Sequence, residues 1–299
     1  MAKKPSAENQ LTLQNMLDEL SQAHNTRKPL YSELERIFTV PVISFFTSFI
    51  YPATIHDKDA DMIENVLQGT DVKKGFLMII NSPGGSALAA ERIIQVCRAY
   101  SADKFSVVVP KMAKSAATMI CLGASKIIMS RTSELGPIDP QVIITEGQTR
   151  KLFPAFLLIQ SYRKLIEEAI RVKQPIEIFL QQLSKYDHRD IALYEQEADL
   201  AKDIAARALK SGILKSEPDQ EVQKTISFFL EPTRTKVHGR PIYLDDLAPT
   251  KLNLERLEID SEQWKLIWNL YVRLDCLLSR GNVAKIVESK DYSYIISVK

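Results

Sequence analysis

Residues 76–91 have the sequence Phe76-Leu-Met-Ile-Ile-Asn-Ser-Pro-Gly-Gly-Ser-Ala-Leu-Ala-Ala-Glu91. The apolar run 76–80 has the length and composition of a strand that is buried on both faces. Pro83 removes a backbone donor, and the following glycine pair permits backbone angles that other residues avoid, so the strand ends in a turn. A helix rich in small residues is predicted over 86–100.

The same order of elements recurs in Val107-Val-Val-Pro-Lys-Met-Ala-Lys-Ser-Ala-Ala-Thr-Met-Ile-Cys121. Strands and helices alternate along this half of the chain, which requires a parallel sheet with both faces covered. The fold class is therefore α/β. The predicted strands are 40–50, 75–80, 105–109 and 126–129. The predicted helices are 11–23, 32–37, 59–67, 86–100, 115–124, 154–173, 176–186, 191–210 and 261–279. A polar surface connection is predicted over 215–224.

The turns after the strands 75–80 and 105–109 can form a site for acyl transfer. At such turns, free backbone N–H groups face outward beside a helix N-terminus, where negative charge is favoured. Ser115 stands at the second turn and could supply the nucleophilic hydroxyl. The alternative is that Ser115 only caps the helix 115–124, as serine commonly does.

Three motifs, in order along the chain, resemble those of a known family. Ile80-Asn-Ser-Pro-Gly-Gly-Ser86 is similar to the oxyanion loop of the Clp-type serine peptidases. The nucleophile of that fold corresponds to the segment Pro110-Lys-Met-Ala-Lys-Ser-Ala-Ala-Thr118. The resemblance is narrowed within these peptidases by a third motif, Glu134-Leu-Gly-Pro-Ile-Asp-Pro-Gln141. Together they resemble the serine dehydrogenase proteinases, relatives of signal peptide peptidase A within the Clp/crotonase superfamily.

The resemblance covers residues 40–175 most firmly and implies a Clp/crotonase-like spiral of ββα units with added N- and C-terminal helices. The corresponding division is an N-terminal helical extension 1–39, a peptidase domain 40–255 and a C-terminal helical extension 256–299. The implied activity is that of a serine peptidase that cleaves peptide bonds through a Ser115 acyl-enzyme, without metal or organic cofactor. The amides of Gly84 (or Gly85) and Ala116 are implied as the oxyanion hole.

The general base is where the chain departs from the Clp pattern. Clp-type peptidases use a Ser-His-Asp triad, but no histidine occurs between Ser115 and His188. Relatives of the signal peptide peptidase A type use a lysine from a following helix, and such a lysine must be buried to become neutral. Lys164 is the leading candidate for this Ser-Lys dyad. Its helical position is opposite the apolar stripe of its helix, so a solvated surface lysine is the alternative.

Four further residues are candidates for the base: Lys114, Lys151, Lys173 and His238. Lys114 adjoins Ser115, but consecutive residues at a helix start point apart. Asp139 lies between two prolines and is expected to orient its loop or to shape a substrate groove.

Composition narrows the function classes. The chain of 299 residues carries 39 basic and 37 acidic residues, and this near balance gives no reason to expect nucleic acid as a partner. The expected partners are a protein or peptide substrate and further copies of the chain, with the face Trp264–Leu278 as a candidate contact. No secretory signal or membrane span is visible, so a cytoplasmic protein is expected. The alternatives are a catalytically inactive Clp-fold scaffold and a crotonase-like acyl-CoA enzyme.

Overall fold

The computed structural model describes residues 18–146, 149–171, 176–230, 238–280 and 282–298. Its strands are β1 (Val42–Thr47), β2 (Phe76–Asn81), β3 (Phe105–Val109), β4 (Met112–Ala113), β5 (Lys126–Met129), β6 (Glu134–Leu135), β7 (Gln141–Glu146), β8 (Thr149–Pro154), β9 (Ile242–Tyr243), β10 (Leu254–Arg256), β11 (Val283–Ser289) and β12 (Ser293–Ser297). Its helices are α1 (His24–Phe38), α2 (Asp57–Gln68), α3 (Ala87–Tyr100), α4 (Ala116–Leu122), α5 (Ala155–Arg171), α6 (Glu177–Leu183), α7 (His188–Ser211), α8 (Asp219–Leu230) and α9 (Glu262–Arg280), with a 3-10 helix at Leu244–Leu247.

The central sheet has seven strands in the order β10-β5-β3-β2-β1-β11-β12. The strands from β10 to β1 are parallel, and β11 and β12 add to the edge in antiparallel pairing. The predicted α/β fold with a mostly parallel sheet is therefore confirmed. The spiral arrangement of its units and the division into three segments stay predictions.

The apolar run of β2 is continuous because both faces of this strand are covered. Phe76, Met78 and Ile80 pack in one hydrophobic cluster with α2, α3, α4, α7 and α8. Leu77 and Ile79 point to the opposite face, where α1 and α9 cover the sheet. Side chains alternate between the faces of a strand, so a strand between two helical layers has no polar face.

The helix α9 belongs to the core of the second face. Trp264, Ile267, Tyr271 and Leu274 are buried there, whereas Trp268 is 42% exposed. Most of the predicted contact face Trp264–Leu278 is thus used within the chain. None of the described helices is both long and apolar enough to cross a bilayer.

Several local predictions differ from the structure. The prediction of a polar surface connection over 215–224 is wrong, because α8 begins at Asp219 and buries Val222, Ile226 and Phe229. Its polar first turn faces solvent, and its apolar residues are concentrated beyond the predicted segment. The short helix predicted at 32–37 is the last part of α1. The prediction over 11–23 lies mainly outside the described residues.

The strands that were not predicted from the sequence include two pairs of consecutive strands. The first is the hairpin of β7 and β8, and the second is the pair β11 and β12 in the segment predicted to be helical. Both pairs are antiparallel. β11 is buried between β1 and β12, and it carries the polar residues Lys285 and Glu288 inside the protein, which hides its strand pattern.

A buried ion pair joins the first helix to this late strand. Arg27 Nε and Nη2 donate to Glu288 Oε1 and Oε2 at 2.7 and 2.5 Å, and both side chains have 0% of their surface exposed. The Ser293 hydroxyl donates to Glu288 Oε2 at 2.7 Å. Each charge is therefore compensated only by its partner and a few hydrogen bonds.

Replacing Arg27 by methionine is expected to lower the free energy of unfolding by about 3–5 kcal/mol, because the Glu288 carboxylate is left buried without its partner. The double variant Arg27→Met/Glu288→Leu is expected to recover most of this loss, since no charge stays buried. Urea denaturation measures both effects. The matched control is Arg36→Met, which removes an exposed partner of Glu33 and should leave the urea concentration at the midpoint of unfolding unchanged. A single variant as stable as the control would contradict the prediction.

Candidate active site

Two turns lie side by side at the carboxyl edge of the central sheet. The Ser82 amide donates to the Met112 carbonyl at 3.1 Å, and the Lys114 amide donates to the Ser82 carbonyl at 3.0 Å. These bonds pair the segment after β2 with β4 as a short parallel bridge between Ser82 and Ala113. The glycine turn and the serine turn are thereby held in contact.

Gly84 lies directly against the serine turn. Its φ is +102°, and a Cβ at this position would lie 2.5 Å from the Lys114 carbonyl oxygen and 2.8 Å from Ser115 Cβ. Both distances are shorter than a real carbon contact. Only glycine allows this approach, which the sequence indicated by its Pro-Gly-Gly turn.

The amides around this contact differ in their hydrogen bonding. The Gly84 amide donates to Ser82 Oγ at 3.1 Å, and that oxygen also bonds Thr47 Oγ1 at 2.7 Å. Ile55 is hydrogen-bonded to the residues on either side of Gly85. Its amide donates to the Gly84 carbonyl, and its carbonyl accepts from the Ser86 amide, both at 2.8 Å. Within the described part of the chain, the amides of Gly85 and Ala116 have no hydrogen-bond acceptor.

Ser115 has an unusual backbone conformation for a residue with a side chain. Its φ is +51° and its ψ is −118°, and its hydroxyl makes no capping hydrogen bond to α4. The alternative that Ser115 serves as a cap is therefore not supported. Such a conformation costs about 1–3 kcal/mol and occurs preferentially at functional sites. A strained serine between a strand and a helix also characterises nucleophile elbows.

Hydrogen bonds of Thr118 and Lys114 also support the serine turn. The buried Thr118 hydroxyl donates to the Ala113 carbonyl at 2.8 Å and accepts from the Gly136 amide at 3.1 Å. Lys114 Nζ donates to Glu134 Oε2 at 2.7 Å and to the Leu135 carbonyl at 3.2 Å. These bonds tie the turn to the loop that carries Asp139.

Asp139 and His238 form a hydrogen-bonded pair across this loop. His238 Nδ1 and Asp139 Oδ1 are 2.9 Å apart, and Gln141 Nε2 donates to Asp139 Oδ2 at 2.9 Å. The Asp139 side chain is only 10% exposed, and that of His238 is 26% exposed. The carboxylate therefore fixes the orientation of the imidazole and leaves its Nε2 atom for another partner.

A cavity of about 520 Å³ brings these groups together. Ser115, Gly84, Gly85, Asp139 and His238 all contribute to its lining. A small three-stranded sheet of order β4-β6-β9 explains the convergence. Ser115 follows β4, Asp139 follows β6, and His238 precedes β9. The pairing of these three two-residue strands therefore brings all three side chains to the cavity.

The structure places the predicted lysine elsewhere. Lys164 is 73% exposed on α5, its Nζ lies 3.8 Å from Glu168, and it lines a separate surface groove beside Phe156 and Arg163. Of the other lysine candidates, Lys114 is bonded to Glu134 and Lys151 lies on β8, and neither lines the cavity. Lys173 lies outside the described residues. Ser115 and the glycine pair are thus together, without Lys164.

The role of His238 is not evident from local sequence. The histidine is separated from Asp139 by 99 positions, and the sequence offered it only as one of the further candidates for the base. Asp139 was predicted to orient its loop or to shape a substrate groove, without a catalytic role. For Asp139, the one signal in the sequence was its rigid position between two prolines, close after the predicted nucleophile Ser115.

Two relatives match parts of the chain. The uncharacterized protein MJ0137 of Methanocaldococcus jannaschii is 36% identical over 106 residues, which are 36% of this chain and 34% of the relative. The uncharacterized protein MJ1495 of the same organism is 26% identical over 178 residues, 56% of this chain and 53% of the relative. The chain thus spans about a third and about half of the lengths of these relatives.

The family model of the ClpP-like SDH-type serine proteinases matches residues 5–164. This match covers more than half of the chain. It includes the glycine turn, Ser115 and Asp139, and it ends before His238. The serine turn, its close glycine contact and this match lead to one conclusion: the chain belongs to the ClpP-like SDH-type serine proteinase family.

Proposed function

We propose that the protein is a serine peptidase in which Ser115 is the nucleophile, His238 the general base and Asp139 the residue that orients His238. The observation that carries this proposal is the hydrogen-bonded pair of Asp139 and His238 in the cavity that Ser115 also lines. A histidine oriented by a carboxylate beside a serine is the arrangement that serine hydrolases of unrelated folds share.

The proposed reaction begins when the Ser115 hydroxyl attacks the carbonyl carbon of the scissile peptide bond. His238 Nε2 accepts the hydroxyl proton and then donates it to the departing amine, which leaves an ester between Ser115 and the acyl part of the substrate. Water then attacks this ester with His238 again as the base. The Asp139 carboxylate stabilises the imidazolium.

The base has to reach the nucleophile only when substrate is bound. Among the described residues, Ser115 Oγ and His238 are not hydrogen-bonded to one another. Catalytic hydrogen bonds are often long in the free enzyme and tighten in the substrate complex, so this separation is compatible with the role. Lys164 would need a much larger movement, together with burial of a charge that is now exposed to solvent.

The proposed oxyanion hole consists of the amides of Gly85 and Ala116. Both lack an acceptor within the described structure, whereas the Gly84 amide already donates to Ser82 Oγ. Gly84 then contributes in another way: because it has no side chain, the glycine turn and the serine turn can lie in contact. Amides fixed in this way stabilise the developing negative charge without reorganisation during the reaction.

We also propose that the peptidase is a homo-oligomer, as expected for a ClpP-like family. Exposed apolar side chains on α5 and α6 support the proposal, among them Leu157, Ile178 and Leu180. Such surface favours association with another apolar surface. Light scattering over a range of concentrations would measure the mass, and a monomer throughout would contradict this proposal.

A fluorophosphonate probe tests the assignment of nucleophile and base. The intact protein is expected to gain one adduct, and Ser115→Ala is expected to gain none. His238→Ala should slow labelling and peptide cleavage by about 10²–10⁴-fold, since a general base typically contributes this much. Lys164→Ala should label at the wild-type rate.

Two other results would overturn parts of this assignment. Loss of labelling in Lys164→Ala, with normal labelling in His238→Ala, would restore the Ser-Lys dyad. Absence of any adduct in the folded wild-type protein would favour the inactive scaffold or, if coenzyme A bound, an acyl-CoA enzyme.

The close contact at Gly84 predicts a second result. In Gly84→Ala the new methyl group meets the Lys114 carbonyl and Ser115 Cβ, so the two turns must separate. Cleavage should fall by about 10²–10³-fold, the usual effect of losing one oxyanion donor. The matched control is Gly239→Ala, whose added methyl meets no atom of the described residues within 4 Å. Circular dichroism would check that both variants are folded, and a folded Gly84→Ala variant with full activity would contradict the prediction.

A further inference from the structure

The walls of the cavity around Ser115 are mainly aliphatic. Leu88 of α3, Leu152 of β8 and Leu200 of α7 line it with partly exposed side chains, and Met119 and Ile138 are buried beneath them. These residues come from separate elements, so the apolar surface surrounds the cavity on several sides. An aliphatic side chain of a bound peptide would remove this surface from water.

Three acidic or basic side chains line the same cavity: Asp139, His238 and Glu197. Asp139 and His238 are bonded to each other. No lysine or arginine of the described residues contributes to the lining. The cavity therefore has a negative charge at Glu197 that no cation of its own lining offsets.

Within the described ranges, Glu195 and Asp203 of α7 are ion-paired, whereas Glu197, like Asp199, is not. Glu195 pairs with Arg163 at 2.5 Å, and Asp203 pairs with Arg207 at 2.9 Å. Glu197 forms neither an ion pair nor a hydrogen bond with any residue in the described ranges. Its carboxylate is available to a cation that enters the cavity from outside.

We propose that Glu197 is a specificity-determining residue that selects peptides with a basic residue next to an aliphatic one and rejects peptides with an acidic residue there. The proposal rests on the peptidase function and adds its substrate class. The aliphatic side chain fills the apolar part of the cavity, and the adjacent ammonium or guanidinium group approaches the Glu197 carboxylate.

The size of the effect follows from the exposure of Glu197. An ion pair that stays in contact with water changes affinity only severalfold, and repulsion of a like charge acts to a similar extent. Together these effects predict a preference of roughly threefold to twentyfold for a lysine peptide over the matching glutamate peptide. The preference should decrease as salt is added, because salt screens exposed charges.

The test uses short blocked fluorogenic peptides with a central leucine that is flanked by lysine, glutamine or glutamate. Wild-type kcat/KM should decrease in that order. In Glu197→Gln, which keeps the shape of the side chain and removes its charge, the lysine and glutamate peptides should be cleaved at nearly equal rates. The matched control is Glu195→Gln on the same helix, which should keep the wild-type preference. An unchanged preference in Glu197→Gln would overturn the proposal.

A binding measurement separates this inference from the peptidase function. The Ser115→Ala protein is titrated with the same peptides, followed by fluorescence anisotropy, with and without the additional Glu197→Gln change. A charge preference in binding that disappears with Glu197→Gln supports the inference even if wild-type protein cleaves no peptide, in which case the proposed function fails alone. Cleavage without any charge preference, or equal binding of lysine and glutamate peptides, overturns the inference and leaves the peptidase function standing. Absence of binding by every peptide also overturns it.

Discussion

The pairing of three two-residue strands positions the candidate site. β4 is parallel to β6, and β6 is antiparallel to β9, so the ends of these strands meet at one place. Ser115, Asp139 and His238 are each a few residues from one of them. The small sheet lies at the edge where β2 and β3 of the central sheet end. A shift of any of the three strands by one residue would turn its side chains to the opposite face.

The strain at Ser115 is maintained by this surrounding structure. Within the described part of the chain the Ser115 hydroxyl makes no hydrogen bond, and the backbone angles of Ser115 are unfavourable for a residue with a side chain. The cost is offset by the buried Thr118 bonds, the Lys114 pair with Glu134 and the contact with Gly84. Folding therefore sets the hydroxyl and the nearby amides in place, and in the proposed peptidase this meets the requirement for electrostatic preorganisation.

The sequence predicted the parts of this arrangement that depend on local patterns. Buried strands such as β2 read as continuous apolar runs, and the Pro-Gly-Gly turn and the serine turn follow directly from residue types. The strands β4, β6 and β9 are too short to have a hydrophobic period, so the convergence of Asp139 with His238 could not be deduced. The sequence did indicate that Lys164 lies opposite the apolar stripe of its helix, and the family pattern outweighed this correct signal. β11 was missed because buried Lys285 and Glu288 interrupt its apolar pattern; ion pairs with Asp59 and Arg27 compensate these charges.

The two sides of the cavity differ in how deeply their residues are buried. The side with Ser115 rests on the central sheet, where neighbouring residues such as Ala117 and Ile120 are fully buried. The opposite side is formed by β8 and α7, whose lining residues Leu152, Glu197 and Leu200 are exposed. A change on the first side disturbs packing and the geometry of the nucleophile together. In the proposed peptidase, a change on the second side alters the surface that a substrate would contact and leaves the buried packing around Ser115 in place.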